Sequence, residues 1–182
     1  MTLTIVLAAL GAVGIAASCG LRAFLPLLAL SLGARMGFVN LGGASSWLTS
    51  DLALWTLSGA AVVEMLADKI PVMDHVLDAV GLVLRPIAAA LGAFALLQHL
   101  PTPWAQIAAL ALGVGALGVQ AAKAKVRLGS TALTLGAANP ILSLAEDLTA
   151  LALAALSILA PLALLFAAAI LGFVMVRRRP AR

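Results

Sequence analysis

Glu64, Asp68, Asp74 and Asp78 are four of the seven carboxylates in this chain, and Lys69 and His75 lie among them. Glu64 and Asp68 are four residues apart, as are Asp74 and Asp78, so each pair shares one face of a helix. Pro71 falls between the pairs and separates two helices. If the break folds so that both pairs and His75 meet, carboxylate oxygens and an imidazole become available for a divalent cation or a proton relay. Glu64, Asp68, Asp74 and Asp78 are then the candidate metal ligands. A structural reading competes: Lys69 suits the C-terminus of one helix, and Asp74 and Asp78 suit the first turns of the next, through the helix dipole.

A second constellation is cationic. Arg22 follows Gly20 inside apolar sequence with no acidic neighbour, and Lys123, Lys125 and Arg127 form a basic run. Fixed cations beside broken helix ends attract phosphate or carboxylate groups. The alternatives are a salt bridge from Arg22 to Glu146 or Asp147, and plain anchoring of residues 123–127 at the membrane face. Asn139-Pro140 and Ser143 precede Glu146-Asp147; together they would line a polar cavity, or Asn139 would cap a helix carrying acids in its early turns. Adjacent residues on a helix diverge by about 100°, so one of Glu146 and Asp147 is expected to face inward and the other to pair near the surface. Arg85 lies seven residues beyond Asp78, two helical turns along nearly the same face, where the two charges can meet.

The surroundings make these groups costly. Hydrophobic residues are 64% of the 182, charged residues 10%, and the mean hydropathy is +1.16, far outside the range of soluble domains. With many Ala, Leu and Gly and no Tyr, the composition suits closely packed helices rather than a barrel with aromatic girdles. The expected class is an all-α integral membrane protein forming one transmembrane domain over 1–182. The lone Cys19 excludes an internal disulfide and reads as apolar filler. The first apolar run has no basic residues before it and no small-residue cleavage site after it, so it is expected to be a retained helix.

Apolar segments are expected at 3–19, 21–35, 52–67, 76–98, 104–122, 128–138, 141–158 and 161–176. Segments 21–35 and 128–138 are short for a span. Residues 28–34 (LALSLGA) match 131–137 (TALTLGA), which suggests repeat halves 1–100 and 101–176 followed by a basic tail, 177–182. A full crossing by 128–138 would put the basic run and the arginine tail on opposite sides, against the positive-inside rule. If both short segments are re-entrant, six spans remain, both clusters are cytoplasmic and the halves are inverted, as in many transporters. The expected location is a bacterial inner membrane with a cytoplasmic C-terminus.

Gly20-Leu-Arg22-Ala-Phe-Leu-Pro26, Ala67-Asp68-Lys69-Ile-Pro71 with Asp74-His75 and Asp78, Arg85-Pro86, and Asn139-Pro140 through Ser143 to Glu146-Asp147 together resemble the bacterial membrane-protein family called domain of unknown function 4126. The resemblance covers nearly the whole chain. It implies a multi-pass membrane protein and brings no activity with it.

A serine hydrolase elbow, a phosphate-binding glycine loop and nucleic-acid motifs are all missing from the sequence. The leading reading is a small permease or channel for an ion or small anionic solute, with Arg22, Glu64, Asp68, Glu146 and Asp147 in its polar lining. A metal-dependent enzyme acting on a lipid phosphate, with Lys69 or Arg85 at the phosphate, is the alternative; a structural or assembly protein is the third reading. Membrane lipids are the expected partners, a homo-oligomer is compatible with the sequence, and no cofactor is implied.

Overall fold

The computed structural model describes residues 2–69, 71–134, 137–164, 166 and 170, with side chains for these except 2 and 71–76. Its elements are α1 (Thr2–Leu21), α2 (Phe24–Arg35), a 3-10 helix (Gly43–Thr49), α3 (Asp51–Ala67), α4 (Pro71–Leu96), α5 (Thr102–Thr134) and α6 (Asn139–Leu159). No strand occurs among the described residues.

Local chemistry explains several of the boundaries. The Ser50 hydroxyl accepts the N–H of Ala53 (3.1 Å) and caps α3. At the end of α2, Gly37 takes φ +79°, and the N–H groups of Phe38 and Gly37 return to the carbonyls of Gly33 and Ala34. That double closure needs a left-handed residue, which glycine supplies without strain.

Among the described residues, four helices are long and apolar enough to cross a membrane: Leu3–Leu21, Leu77–Leu96, Thr102–Thr134 and Asn139–Leu159. The 3-10 helix and α3, bent by 65°, make a fifth if the pair is one span. With 12 residues, α2 is too short to cross. Polarity is inverted relative to a soluble domain: Leu52, Trp55, Leu110, Val114 and Leu133 project outward, while Arg22, Arg85, Lys123, Arg127 and Asp147 are buried. Water would not tolerate that apolar surface, whereas lipid matches it. The protein is an integral membrane protein.

Helix α1 is central and packs against α4, α5 and α6. Its contacts are made by small residues, among them Ala12, Ala16, Ala89, Ala93, Ala116, Ala150 and Ala154, all buried. Small side chains let backbones approach closely, and dispersion then replaces the hydrophobic effect that lipid cannot supply. A methyl group on Gly20 would lie 2.8 Å from the carbonyl oxygen of Ala116 and 2.7 Å from Val119 Cβ. Hydroxyls tie helices through backbone carbonyls, Ser18 to Ala150 and Ser31 to Leu48, each at 2.6 Å.

One sequence expectation changes. The segment 128–138 is not a separate re-entrant piece, because α5 runs without a break through Thr134. Gly129 costs a helix only about 1 kcal/mol relative to alanine, too little to interrupt 33 residues of good helix formers. The break comes instead just before Asn139-Pro140, where proline cannot continue the ladder. The match between 28–34 and 131–137 therefore pairs most of a short helix with the end of a long one. Of the six expected spans, four or five are present among the described residues. Most of the last apolar segment, 161–176, and the arginine tail lie outside the described residues.

Gly20→Ala should lower stability by about 1–3 kcal/mol through overpacking. Gly118→Ala, where nothing lies within 4 Å, should be neutral or stabilising by up to about 1 kcal/mol. Denaturant unfolding in micelles checks both; equal effects would contradict the close approach of α1 and α5.

Candidate functional site

Chain direction brings the charged residues to one end of the bundle. Arg22 follows α1, Asp68 and Lys69 follow α3, Asp78 lies two turns into α4, and Glu146 and Asp147 lie two turns into α6. Helix α5 reaches the same end late in its course and contributes Gln120, Lys123 and Arg127, which share a face at spacings of three and four. Its 33 residues measure about 50 Å, against a hydrocarbon core of about 30 Å. A helix of that length tilts or extends past the hydrocarbon core.

Arg22, fully buried, is the centre. Its Nη2 donates to Asp68 Oδ2 (2.6 Å) and to Ser143 Oγ (3.0 Å), and its Nε lies 2.6 Å from Asp147 Oδ1. Arg127 uses two edges of its guanidinium. Nη1 and Nη2 meet the two oxygens of Asp68 at 3.1 and 2.6 Å, while Nε and Nη2 meet those of Glu146 at 2.9 and 2.7 Å. Such paired planar contacts are the strongest form of charge-assisted hydrogen bond and the least tolerant of lysine in place of arginine.

The perimeter is looser. Lys69 Nζ donates to the Met65 carbonyl (2.9 Å) and lies 3.6 Å from Asp147 Oδ2. Lys123 Nζ lies 3.1 Å from Glu146 Oε2 and 3.9 Å from Asp78 Oδ1; Arg85 Nη2 reaches that same Asp78 oxygen at 3.4 Å. Gln120 Nε2 donates to the main-chain oxygen of Asp78 (3.1 Å).

Glu64 has a different partner. Its Oε1 and Oε2 accept the backbone N–H groups of Ala23 (2.9 Å) and Phe24 (3.1 Å). These are orphan donors at the start of α2, where no side chain of the adjoining residues caps the helix. A carboxylate from α3 therefore caps α2 across the fold and opposes the positive end of its dipole.

The structure brings together Arg22, Asp68, Lys69, Asp78, Arg85, Ser143, Glu146 and Asp147, with Glu64 beside them. Asp147 faces inward onto Arg22 (2.6 Å), while the less buried Glu146 pairs mainly with Arg127 and Lys123 and lies 3.8 Å from Arg22. Lys125 is exposed and lies outside the cluster, between Lys123 and Arg127, which are inside. Asn139 does not cap α6, whose N-cap is Ala138; its amide reaches back to Thr131 Oγ1 (3.1 Å) and closes the turn from α5. The side chains of Asp74 and His75 lie outside the described residues. Among the described residues no three His, Cys, Asp or Glu side chains gather as a metal site; Glu64 accepts backbone N–H groups, and Asp68 faces two arginines. Gln120 carried no sequence signal of its own. Lys123 and Arg127 did, in their four-residue spacing, once α5 is taken as a single helix.

Fold and site together define a multi-pass membrane protein whose helices meet in a buried ionic cluster at one end. The family model described as domain of unknown function (DUF4126) matches residues 9–180, so the chain belongs to that family. No curated protein and no solved structure matches it.

Glu64→Gln should destabilise the protein by about 1–3 kcal/mol, because a buried acceptor of two N–H groups loses its charge. Lys125→Gln, on the exposed side of α5, should stay within about 0.5 kcal/mol. Unfolding in micelles separates the two; an unaffected Glu64 variant would contradict the cross-fold cap.

Proposed function

We propose that this protein is a small permease or channel for an anionic solute, with the ionic cluster as the binding station at one mouth. One observation carries the reading. Among the described residues, Arg22, Lys69, Arg85, Lys123 and Arg127 gather with Asp68, Asp78, Glu146 and Asp147, and Glu64 lies beside them. Arg85 and Lys123, both buried, share one oxygen of Asp78 at 3.4 and 3.9 Å, and the Glu146 that also meets Lys123 is shared with Arg127. Charged groups gathered at membrane depth are characteristic of ion and substrate pathways.

The rest of the bundle supports it. The opposite end holds a cavity of about 200 Å³ lined in part by Thr4, Asn40, Gln98, His99 and Ser157. Between the two polar ends, Ala12, Ile15, Ala16 and Cys19 of α1 are packed and buried. That arrangement suits a closed state with a polar station at either end and an apolar gate between them. Lys69, Lys123, Lys125 and Arg127 all lie at the cluster end, which favours a cytoplasmic placement in a bacterial inner membrane.

Purified protein in liposomes should carry hydrogen carbonate, phosphate, chloride or a small carboxylate down its gradient. Flux should fall at least tenfold in Lys123→Gln and persist in Lys125→Gln. Absence of flux across these anions, with folding verified in the same vesicles, would refute the reading.

A further inference from the structure

At the loose edge of the cluster, between α4 and α5, hydrogen-bonding capacity is left unused. Arg85 is buried, and with Nη2 directed at Asp78 its Nε and Nη1 have no hydrogen-bond partner. Lys123 Nζ is likewise buried; its contacts with Glu146 and Asp78 are ion pairs without hydrogen-bond alignment. Gln120 Oε1 is a buried acceptor without a donor. The amide orientation is fixed, because Nε2 must donate to the Asp78 carbonyl and a flip would set two oxygens together.

These groups face one place. A methyl on Gly81 would lie 3.0 Å from Arg85 Nε and Cζ and 3.3 Å from Gln120 Nε2, so the bare glycine lets guanidinium and amide converge. Gln120 and Lys123 sit three residues apart on α5, and Lys123 and Arg85 both lean on Asp78 Oδ1. The Asp78 side chain is 34% exposed and gives this edge its access.

From this geometry we infer that Arg85, Lys123 and Gln120 form a seat for a small protonated oxyanion. The ligand is a monoanion with at least one O–H, such as hydrogen carbonate, dihydrogen phosphate or the singly charged phosphate monoester of a lipid. Its oxygens accept from Arg85 and Lys123, its hydroxyl donates to Gln120 Oε1, and its charge offsets the repulsion between two buried cations that share one oxygen of Asp78. Arginine's fixed array of donors suits an oxyanion. Water would supply the hydrogen bonds but would not offset the repulsion between Arg85 and Lys123. Chloride and nitrate would supply the charge but leave Gln120 Oε1 unsatisfied, and a site built around a hydrogen bond rejects ligands that cannot make it. The inference rests on the anion reading of the cluster and adds the ligand class and its seat.

Calorimetric titration of the full-length protein in detergent provides the test, with sodium hydrogen carbonate, sodium phosphate at pH 6, nitrate and chloride as probes. A parallel series uses nanodiscs with and without phosphatidic acid, read by thermal shift. At least one protonated oxyanion should bind tenfold or more tightly than nitrate and chloride. Arg85→Gln should abolish that binding, and Gln120→Met should keep anion binding while erasing the preference. Stabilisation by phosphatidic acid alone would identify a lipid as the source and would uphold the seat while removing the permease reading. Binding of free oxyanions without flux in liposomes would do the same. Flux without preference for a protonated oxyanion would overturn the seat and spare the permease. Equal binding of all four anions to the wild type, or no binding of any probe to the folded protein, would overturn the seat.

Discussion

A charge buried near lipid must be neutralised by another charge, and that requirement decides which helix ends of this protein meet. Arg22 cannot sit where it does unless Asp68, from the end of α3, and Asp147, from the second turn of α6, come to it. Asp68 in turn draws in Arg127 from α5, and Arg127 draws in Glu146. The network thereby joins the end of α1 to α3, α5 and α6, all at one level of the bundle. Removing one partner leaves an uncompensated buried charge, which is costlier than never having built the pair. The arrangement specifies register more firmly than apolar helix packing alone.

Apolar contacts supply the other half of the architecture. Helices of alanine, leucine and glycine slide past one another easily, and lipid gives them little reason to prefer each other over acyl chains. Gly20 against Ala116 and Gly113 against the carbonyl of Pro86 bring backbones close at set points. Glu64 fixes the start of α2 in a similar way, turning a break after α1 into a defined corner. Charge sets the level at which helices meet, and small residues set how closely they pack.

Much of the pairing was legible because an oily chain leaves few solutions for a charge. Arg22 with Glu146 and Asp147, and Asp78 with Arg85, follow from scarcity and from helical spacing, and the structure contains these contacts. Glu64 illustrates what could not be read. Its role depends on the start of α2 lying beside the end of α3, a tertiary fact with no local signature. The basic run Lys123, Lys125 and Arg127 divides for another reason: α5 is one helix through Gly129, and its single face carries Gln120, Lys123 and Arg127 but leaves Lys125 exposed. An isolated glycine is tolerated inside a long helix. Asn139 was read as a cap from its residue type, yet α6 begins one position too early for it to serve.

The most direct measurement is a double-mutant cycle on Asp68 and Arg127, using Asp68→Asn, Arg127→Gln and the pair, followed by reversible unfolding in bicelles. If the ionic cluster organises the helix ends, the two substitutions couple by about 1.5 kcal/mol or more, since contacting charges in one network do not act independently. Additivity within about 0.5 kcal/mol would mean that the buried pair contributes nothing specific and that apolar packing alone sets the fold.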